Sequence, residues 1–354
     1  MAKFQSLKIR KLERPTEESV AVTFDVPEEL KDEFAFIQGQ HLTLKTDIDG
    51  EDTRRSYSIC SCPLNDELTV AIKKLEGGKF STFANDHLKA GDKLEVMPPH
   101  GSFFVPLDPS KERSYVAFAS GSGITPIISI IETTLRTEPK SDFILFYGNR
   151  KTSTIIFHER LQALKNKFMG RFSLYHILSK ERQESDLFNG RINKEKIEAF
   201  GQRFFEPKSV DHYFTCGPEE MMLSVKEQLL SMGVNEKSIH LELFTSPAGK
   251  LGTEISTKER KKAKAEITIV LDGNSTTFPY DSEESILDVA YENGADLPYA
   301  CKGGVCSTCV AKIEEGEVEM EVNYALEPDE LERGLVLTCQ SRPKTDKVKL
   351  TFDV

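Results

Sequence analysis

Four cysteines near the C-terminal end constrain this chain more than any other feature. Cys301, Cys306 and Cys309 lie in one short stretch with the spacing C-x4-C-x2-C, and twenty-nine residues separate Cys309 from Cys339. This spacing is typical of a plant-type [2Fe–2S] cluster, in which one loop supplies three thiolates and a separate segment supplies the fourth. The sequence therefore predicts a [2Fe–2S] centre with these four cysteines as its metal ligands.

The residues between the cysteines are small. Gly303, Gly304, Ser307 and Thr308 allow backbone N–H groups to turn toward the sulfurs and help to set the potential of the cluster. A structural zinc site is the alternative, but zinc-binding cysteines usually come as two close pairs, whereas three of these share one loop. A plant-type cluster carries single electrons at about −400 mV. We therefore expect another part of the chain to reduce the cluster and a partner protein to accept its electrons.

Length and composition describe a globular protein of several domains. The 354 residues exceed one ordinary core and predict two or three domains. No apolar run reaches the length of a membrane span, and no apolar signal segment follows Met1. Seven cysteines are an odd number and four are assigned to metal, which favours a reducing cytoplasm over a disulfide framework.

Charge is concentrated at the cluster-bearing end. Residues 265–354 hold nineteen acidic and seven basic residues, a net charge of −12, whereas the whole chain carries −11. We expect this domain to repel nucleic acid, and to be steered toward a basic patch on a protein partner rather than to a membrane. Residues 248–264 are polar and lysine-rich, which indicates a solvated linker, with a docking strip for the acidic domain as the alternative.

Two patterns divide the chain before the linker. Residues 1–108 contain six short strand patterns separated by Gly and Pro, typical of a small antiparallel β-barrel, and one helix at Ser81–Leu88. Residues 109–247 alternate apolar strands with helices. This alternation predicts a parallel sheet covered by helices on both faces, which binds dinucleotides at the carboxyl ends of its strands.

The last segment opens with a hairpin around Asp272-Gly273-Asn274. A helix is predicted at Glu283–Glu292, capped by Asp281 or Ser282 and closed by Gly294. The cluster loop and two further strands follow, so we expect a small mixed α+β domain.

Two motifs in the first hundred residues suit a nucleotide with a flat ring. Arg55 and Tyr57 share one face of a predicted strand, so a guanidinium can clamp a pyrophosphate while the tyrosine stacks on the ring. A surface arginine beside a packed tyrosine is the alternative for so short a motif. Gly78–Thr82 opens the predicted helix, whose first N–H groups are free to hold a phosphate.

A second nucleotide site is predicted in the parallel-sheet region. Gly121–Pro126 follows an apolar strand and opens a helix, with glycines that admit a pyrophosphate, although Pro126 replaces the third glycine of the usual fingerprint. Cations and hydroxyls follow the next two strands, at Asn149–Ser153 and Ser179–Arg182. They suit a 2′-phosphate, so we expect NADPH rather than NADH, with a solvated basic rim as the alternative.

Cys216 ends the fourth predicted strand of this region, in Thr215–Pro218. Beside a nicotinamide it would shape the pocket rather than act as a nucleophile, and a buried, inert cysteine is the competing interpretation. Cys60 and Cys62 have no partner motif and are expected to be structural.

In this order the motifs resemble the ferredoxin–NADP reductase superfamily with a plant-type ferredoxin at the C-terminus, over nearly the whole chain. The resemblance implies a multidomain fold: an FAD-binding antiparallel β-barrel at 1–108, an α/β parallel-sheet NADP-binding domain at 109–247 and an α+β, β-grasp ferredoxin domain at 265–354. It implies that electrons pass from NADPH to FAD, to the [2Fe–2S] cluster and then to an external acceptor.

The resemblance also implies site residues. FAD would be held by Arg55, Ser56, Tyr57, Ser58, Ile72, Lys73, Gly78, Lys79, Ser81 and Thr82, with Tyr57 against the isoalloxazine and Ser58 near its N5. The nicotinamide dinucleotide would be held by Gly121, Gly123, Thr125, Pro126, Arg150, Ser179, Cys216, Gly217 and Pro218. Glu242 and Phe244 align with the terminal strand over the flavin, where an aromatic ring shields it, and catalytic roles would fall to Ser58, Cys216 and Phe244.

Within the superfamily, four segments are most similar to the reductase subunits of phenylacetyl-CoA epoxidases: Tyr147–Arg150, Cys301–Cys309, Gly316–Met320 and Asn323–Glu330. This implies phenylacetate catabolism, with a di-iron epoxidase as the acceptor, docked on the acidic ferredoxin domain. The reductases of steroid or Rieske-type hydroxylases share the layout and are the alternative. A redox-sensing iron–sulfur regulatory protein is a third hypothesis, against which the complete set of flavin and nicotinamide motifs stands.

Overall fold

The computed structural model describes residues 4–244 and 263–353. These residues form two compact units. The larger unit comprises Ser6–Thr53 and Tyr57–Glu242, and the smaller comprises the chain from Leu243 onward together with residues 4–5 and Arg54–Ser56. Most of the predicted linker at 248–264 lies outside the described residues.

The N-terminal strands form a closed antiparallel barrel. They are β1 (Gln5–Thr16), β2 (Ser19–Asp25), β3 (His41–Ile48), β4 (Glu51–Ser58), β5 (Leu68–Lys73) and β6 (Lys93–Val96), in the order β4-β3-β6-β1-β2-β5. A bridge between Ile59 and Val70 joins the two end strands and closes the sheet. In β1, Leu7 and Ile9 are buried and their neighbours are exposed, the period of two expected of a strand with one face on a core. This confirms the predicted barrel, and helix α1 (Lys79–Asp86) begins two residues before its predicted start.

The second half of the larger unit is a five-stranded parallel sheet, as predicted. Its strands are β7 (Ser114–Ser120), β8 (Asp142–Asn149), β9 (Phe172–Leu178), β10 (His212–Cys216) and β11 (Ile239–Glu242), in the order β11-β10-β7-β8-β9. Helices α2 (Ile124–Thr137), α3 (His158–Lys167), α4 (Lys194–Phe204) and α5 (Glu219–Ser231) alternate with them. The strand order reverses between β7 and β10, and open parallel sheets bind ligands in the crevice at such a point.

Helix α2 begins at Ile124, within the segment Gly121–Pro126 that the sequence predicts to open a helix, so Pro126 lies in its first turn. Proline is tolerated there because the first N–H groups of a helix have no partner within it. The buried side of α2 packs on β7, whose residues 115–119 are buried on both faces of the sheet.

The smaller unit contains a five-stranded mixed sheet and a two-stranded sheet. Its elements are β12 (Ala263–Leu271), β13 (Asn274–Ser282), α6 (Ile286–Glu292), β14 (Val310–Glu315), β15 (Val318–Met320), α7 (Pro328–Glu332), β16 (Leu335–Leu337), β17 (Ser341–Pro343) and β18 (Lys347–Thr351). The larger sheet has the order β13-β12-β18-β14-β16, and β15 pairs with β17. Strands β12 and β18 are parallel, and β12 and β13 form the predicted hairpin.

Two predicted boundaries in this unit are wrong. Ala263 and Lys264, which the sequence placed in the linker, pair with β13. Neither Asp281 nor Ser282 caps the following helix, because β13 continues through both; the cap is Ser285, whose side chain accepts a hydrogen bond from the N–H of Asp288.

No helix in the described ranges is long and apolar enough to cross a membrane.

Candidate functional site

Two glycine turns meet at the carboxyl ends of β7 and β10. A Cβ on Gly123 would lie 2.0 Å from the carbonyl oxygen of Cys216, and one on Gly217 would lie 3.2 Å from the backbone nitrogen of Ser120. Only glycine permits this approach, so the turns pack backbone against backbone. Pro218, also predicted for this site, caps α5. Backbone of both turns is thus brought to this edge, which fits the approach of a pyrophosphate.

Side chains hold the first of these turns in its shape. The hydroxyl of Tyr147 donates to the carbonyl oxygen of Gly121 at 2.9 Å, and that of Thr125 donates to Ser122 at 3.0 Å. Gly121 has a φ of +55°, which favours glycine. Sequence reasoning used Tyr147 only as a mark of kinship and missed this role, whose signal is a buried tyrosine at the carboxyl end of a strand.

The same edge has a buried polar atom without a partner. Thr215 is fully buried, and its Oγ1 finds no hydrogen-bond partner among the residues that the structure describes. A buried hydroxyl left unpaired costs about 1–3 kcal/mol. An atom of this kind beside Cys216 fits a site that a ligand completes.

The predicted basic rim is brought together by β8 and β9. Beyond these strands the N–H of Ser179 donates to the carbonyl oxygen of Asn149 at 3.0 Å, and that of Lys180 to Arg150 at 2.8 Å. Arg150, Ser179 and Lys180 are all exposed. Their side chains are therefore available to a phosphate at this edge.

A carboxylate lies in the same rim. Glu181 accepts hydrogen bonds from the backbone N–H of Thr152 at 2.8 Å and from its hydroxyl at 2.7 Å. The hydroxyl bond and the backbone bond lower the pKa of Glu181. The side chain ties the loop after β8 to the loop after β9, and sequence reasoning did not single it out.

Three side chains that are far apart in sequence meet at the ends of β4, β10 and β11. The hydroxyl of Ser58 donates to Oε2 of Glu242 at 3.3 Å, and Cys216 is the partner of Glu242 in the register of β10 and β11. Burial raises the pKa of Glu242 to about 8, and the bond from Ser58 opposes this shift. Glu242 therefore holds a proton at neutral pH.

Cys216 is fully buried, and burial, with the nearby Glu242, raises the pKa of its thiol well above the usual value. Such a thiol is no nucleophile. Phe244, the third predicted catalytic residue, is 38% exposed and belongs to the smaller unit.

The predicted flavin residues occupy both faces of β4. Tyr57 is half-buried and packs 5.6 Å from Phe80, measured between ring centroids, while Arg55 is exposed and Ser56 is half-buried. Ile72 differs from expectation, because its side chain is fully buried in the barrel core. Its carbonyl oxygen accepts a hydrogen bond from the side chain of Asn85 at 3.1 Å.

Lys73 lies closer to the dinucleotide turn than the sequence indicated. Its Nζ is 4.0 Å from a carboxylate oxygen of Glu18 and 4.0 Å from the position that a Cβ on Gly121 would take. The side chain thus faces the first glycine turn.

A groove of about 610 Å³ lies at the start of α1, lined by Gly77, Gly78, Lys79 and Thr82 on one side and by Asp47 and Asp49 on the other. The hydroxyl of Ser81 accepts from the N–H of Leu75 at 3.1 Å and donates to Gly78, so it shapes the turn. Lys79 pairs with Glu51 at 2.6 Å, and a phosphate there would have to compete for this cation.

The four predicted cluster cysteines converge as two pairs of sulfurs. A hydrogen bond with Cys306, aided by backbone N–H groups, lowers the pKa of Cys301 to about 6. A hydrogen bond with Cys309 likewise lowers the pKa of Cys339. Within the described ranges no three His, Cys, Asp or Glu side chains form a ligand group for one metal ion. Four thiols from one loop and one separate segment fit the ligand set of a [2Fe–2S] cluster.

The loop between the cysteines turns its backbone toward the sulfurs. Lys302, Gly304 and Ser307 have positive φ angles of 50°, 75° and 48°. The N–H of Gly303 lies 3.3 Å from the sulfur of Cys301 as a hydrogen-bond donor. This is the environment that stabilises thiolate ligands.

Three family models match the chain. The model described as an oxidoreductase FAD-binding domain matches residues 6–105, the oxidoreductase NAD-binding domain matches 118–227, and the 2Fe-2S iron-sulfur cluster binding domain matches 269–344. The chain is 44% identical to one subunit of 1,2-phenylacetyl-CoA epoxidase from Escherichia coli (strain K12), over 100% of this chain and 99% of that protein.

Two further comparisons agree. The chain is 33% identical to the ferredoxin reductase component of 3-ketosteroid-9-alpha-monooxygenase from Rhodococcus rhodochrous, over 95% of this chain and 93% of that protein. The solved structure of phthalate dioxygenase reductase shares the fold, with a TM-score of 0.60 and 23% identity over 99% of this chain and 98% of that one. The chain therefore belongs to the ferredoxin–NADP reductase superfamily, among the members with a C-terminal [2Fe–2S] ferredoxin domain, and it is an NAD(P)H-dependent oxidoreductase that transfers electrons through FAD and the [2Fe–2S] cluster.

Proposed function

We propose that this oxidoreductase is the reductase component of an oxygenase, with domains at 1–108, 109–247 and 263–354, and that NADPH is its electron donor. The four-cysteine set, with the N–H of Gly303 turned toward the sulfur of Cys301 at 3.3 Å, carries the proposal, because it adds a one-electron centre to a chain that also has a dinucleotide crevice. FAD, when bound, accepts electrons in pairs and releases them singly, which suits the cluster that follows it.

The four cysteines are assigned to the cluster by their spacing. Cys301, Cys306, Cys309 and Cys339 would hold its irons through their thiolates, and the cluster would carry single electrons. The half-buried Cys301 is the most accessible of the four, since the other three are buried. The acceptor therefore approaches the cluster from the side of Cys301.

The chain's own groups position the reacting rings and one proton. Tyr57 offers a ring face to the flavin, and Ser58 and Glu242 hold a proton beside it at a shared hydrogen bond. Because Glu242 is protonated at neutral pH, it adds no negative charge where electrons arrive. Cys216, which is fully buried, would border the nicotinamide without acting as a nucleophile.

The preference for NADPH rests on the basic rim. The backbone N–H of Lys180 donates to the carbonyl oxygen of Arg150 at 2.8 Å, and both residues are exposed at this edge of the sheet. Ser179 adds a hydroxyl there. A guanidinium and an ammonium stabilise a 2′-phosphate, which NADH lacks.

The partner is proposed to be a di-iron epoxidase acting on an aryl-CoA, on the strength of the 44% identity to the 1,2-phenylacetyl-CoA epoxidase subunit from Escherichia coli. The ferredoxin domain, with nineteen acidic and seven basic residues, suits a basic patch on that partner. The reductase of a steroid hydroxylase is the second candidate, because the 33% identity to such a component also spans the chain. Four cysteines assigned to metal and three others support a reducing cytoplasm as its location.

Reduction of cytochrome c by NADPH with the purified, FAD-loaded protein tests the route. The wild-type protein should turn over, and Cys306→Ala should lose the visible absorbance of the cluster while its flavin is still reduced by NADPH. Retained cluster absorbance in this variant would contradict the ligand assignment, and absence of turnover in the wild type would favour a redox sensor. Product formation with a purified di-iron epoxidase, compared with a Rieske oxygenase, separates the two partners.

A further inference from the structure

Gln340 follows the fourth cluster cysteine and has no role in the sites above. Its side chain is 8% exposed. Its Nε2 donates to the carbonyl oxygen of Lys302 at 3.0 Å and lies 3.5 Å from the sulfur of Cys339, also as a donor. One amide therefore connects the three-cysteine loop with the segment that brings the last cysteine.

The position of this amide is fixed from several sides. The backbone N–H of Gln340 donates to Leu337 at 2.9 Å, and its carbonyl oxygen accepts from Glu321 at 2.9 Å. Its Cγ is 3.2 Å from the place that a Cβ on Gly304 would occupy. The side chain is held between the two segments, so it cannot turn away without breaking packing on both.

The carbonyl oxygen that Gln340 contacts belongs to a residue in an uncommon conformation. Lys302 has a φ of +50°, a region that residues other than glycine seldom adopt. A hydrogen bond to its oxygen stabilises this turn, which directs the neighbouring N–H of Gly303 toward the sulfur of Cys301. Gln340 thus acts on one sulfur directly and on another through the loop.

We infer that Gln340 is a positioning residue that sets the reduction potential of the [2Fe–2S] cluster by donating to the Cys339 sulfur and by holding the cysteine loop. The inference rests on the proposed cluster ligands. An N–H donor stabilises negative charge on sulfur, and this charge is greater in the reduced cluster. The amide therefore raises the potential, and removing it lowers the potential.

A matched control lies two residues away. Thr338 also connects the two segments, because its hydroxyl donates to the carbonyl oxygen of Cys309 at 2.9 Å. It makes no hydrogen bond to a sulfur among those found in the described chain. Thr338→Val removes one connecting bond while the amide of Gln340 stays in place.

The test is an equilibrium redox titration of the full-length, cofactor-loaded protein, followed by the electron paramagnetic resonance signal of the reduced cluster. In Gln340→Met the ratio of reduced to oxidised cluster at a fixed potential should fall at least threefold. This corresponds to roughly 30 mV, since a tenfold change in a one-electron couple is 59 mV. Thr338→Val should stay within the error of the wild type.

A potential in Gln340→Met equal to that of the wild type overturns the inference, as does an equal shift in Thr338→Val. If Gln340→Met assembles no cluster, Gln340→Asn is titrated instead. Its shorter amide should also lower the reduction potential. An unchanged potential in that variant would overturn the inference. A wild-type protein without a [2Fe–2S] signal would mean that the proposed ligands have failed, which is a separate result.

Discussion

The two edges of the parallel sheet treat buried polar groups in opposite ways. At the amino edge, Glu138 is fully buried and is surrounded by donors. It accepts hydrogen bonds from Tyr115 at 2.9 Å, Ser141 at 2.7 Å, Arg113 at 3.1 Å and the N–H of Asp108 at 3.0 Å. This carboxylate is paired in full, and it ties α2 to the starts of β7 and β8.

At the carboxyl edge, Glu242 is half-buried, and Ser58 is the donor found for its side chain among the described residues, at 3.3 Å. Burial raises its pKa to about 8, and the hydroxyl of Thr215 nearby has no partner in the described chain. A protein stabilises its fold by satisfying buried groups and prepares a site by leaving some unsatisfied. The paired groups at the amino edge therefore stabilise the fold, and the incompletely paired groups at the carboxyl edge are suited to binding and catalysis.

The largest effect is expected at the amino edge. Glu138→Leu leaves Arg113, Tyr115 and Ser141 without their acceptor, and should reduce the free energy of unfolding by about 3–5 kcal/mol. Urea unfolding measures it, and the folded fraction should keep the wild-type KM for NADPH. Glu138→Gln keeps the shape and should cost less. A stable Glu138→Leu protein with poor turnover would reverse the comparison.

The complementary change at the carboxyl edge should affect rate rather than stability. Glu242→Gln removes the proton held near Ser58 and should slow reduction of the flavin by NADPH about 100-fold, the lower range for acid–base groups. The urea midpoint should not fall. A buried carboxyl group has to take up a proton when the protein folds, and a neutral amide does not. Stopped-flow measurement of flavin bleaching gives the rate.

The pH dependence of that rate sharpens the point. In the wild type the rate should decline as pH rises through about 8, where Glu242 loses its proton. Glu242→Gln should lack this decline. A pH profile common to both proteins would assign the ionisation to another group.

A smaller effect is expected at the rim of the carboxyl edge. Arg150→Ala should raise the KM for NADPH about tenfold, or roughly 1.4 kcal/mol, with little change for NADH. Arg203→Ala, at an exposed position in the last turn of α4, is the matched control. Equal changes for both nucleotides would show that the 2′-phosphate is bound elsewhere.

The smallest effect concerns two histidines at the amino edge. His212 and His240 lie 3.3 Å apart through their ring nitrogens, and burial lowers the pKa of both, that of His240 to about 4. Both are neutral in the folded protein, so their stabilisation is present above pH 6.5 and is lost as pH falls toward 4. At pH 6.0 the lowered pKa of His240 alone should reduce the free energy of unfolding by about 0.8 kcal/mol relative to high pH. In His240→Phe the urea midpoint should change less with pH than in the wild type. An unchanged pH dependence would contradict the lowered pKa of His240.

Local patterns predicted the architecture. Strand periodicity, the alternation of strands and helices, and the spacing of Cys301, Cys306 and Cys309 are each complete within a short stretch of chain. Errors arose at ends of elements, where partners compete. Ser285 caps α6 instead of Ser282, because pairing with β12 extends β13 through Asp281 and Ser282.

By itself, the sequence determined which cofactors this protein handles and in which order the domains follow, because those signals depend on residue types and short spacings. Only the tertiary structure decided that Ser58 meets Glu242 across 184 residues, that Ser81 shapes its own turn, and that Gln340 reaches Lys302 across 38 residues. Burial and long-range contacts set the charge and orientation of these groups. Neither property can be read from neighbours along the chain, since both arise when distant segments exclude water together.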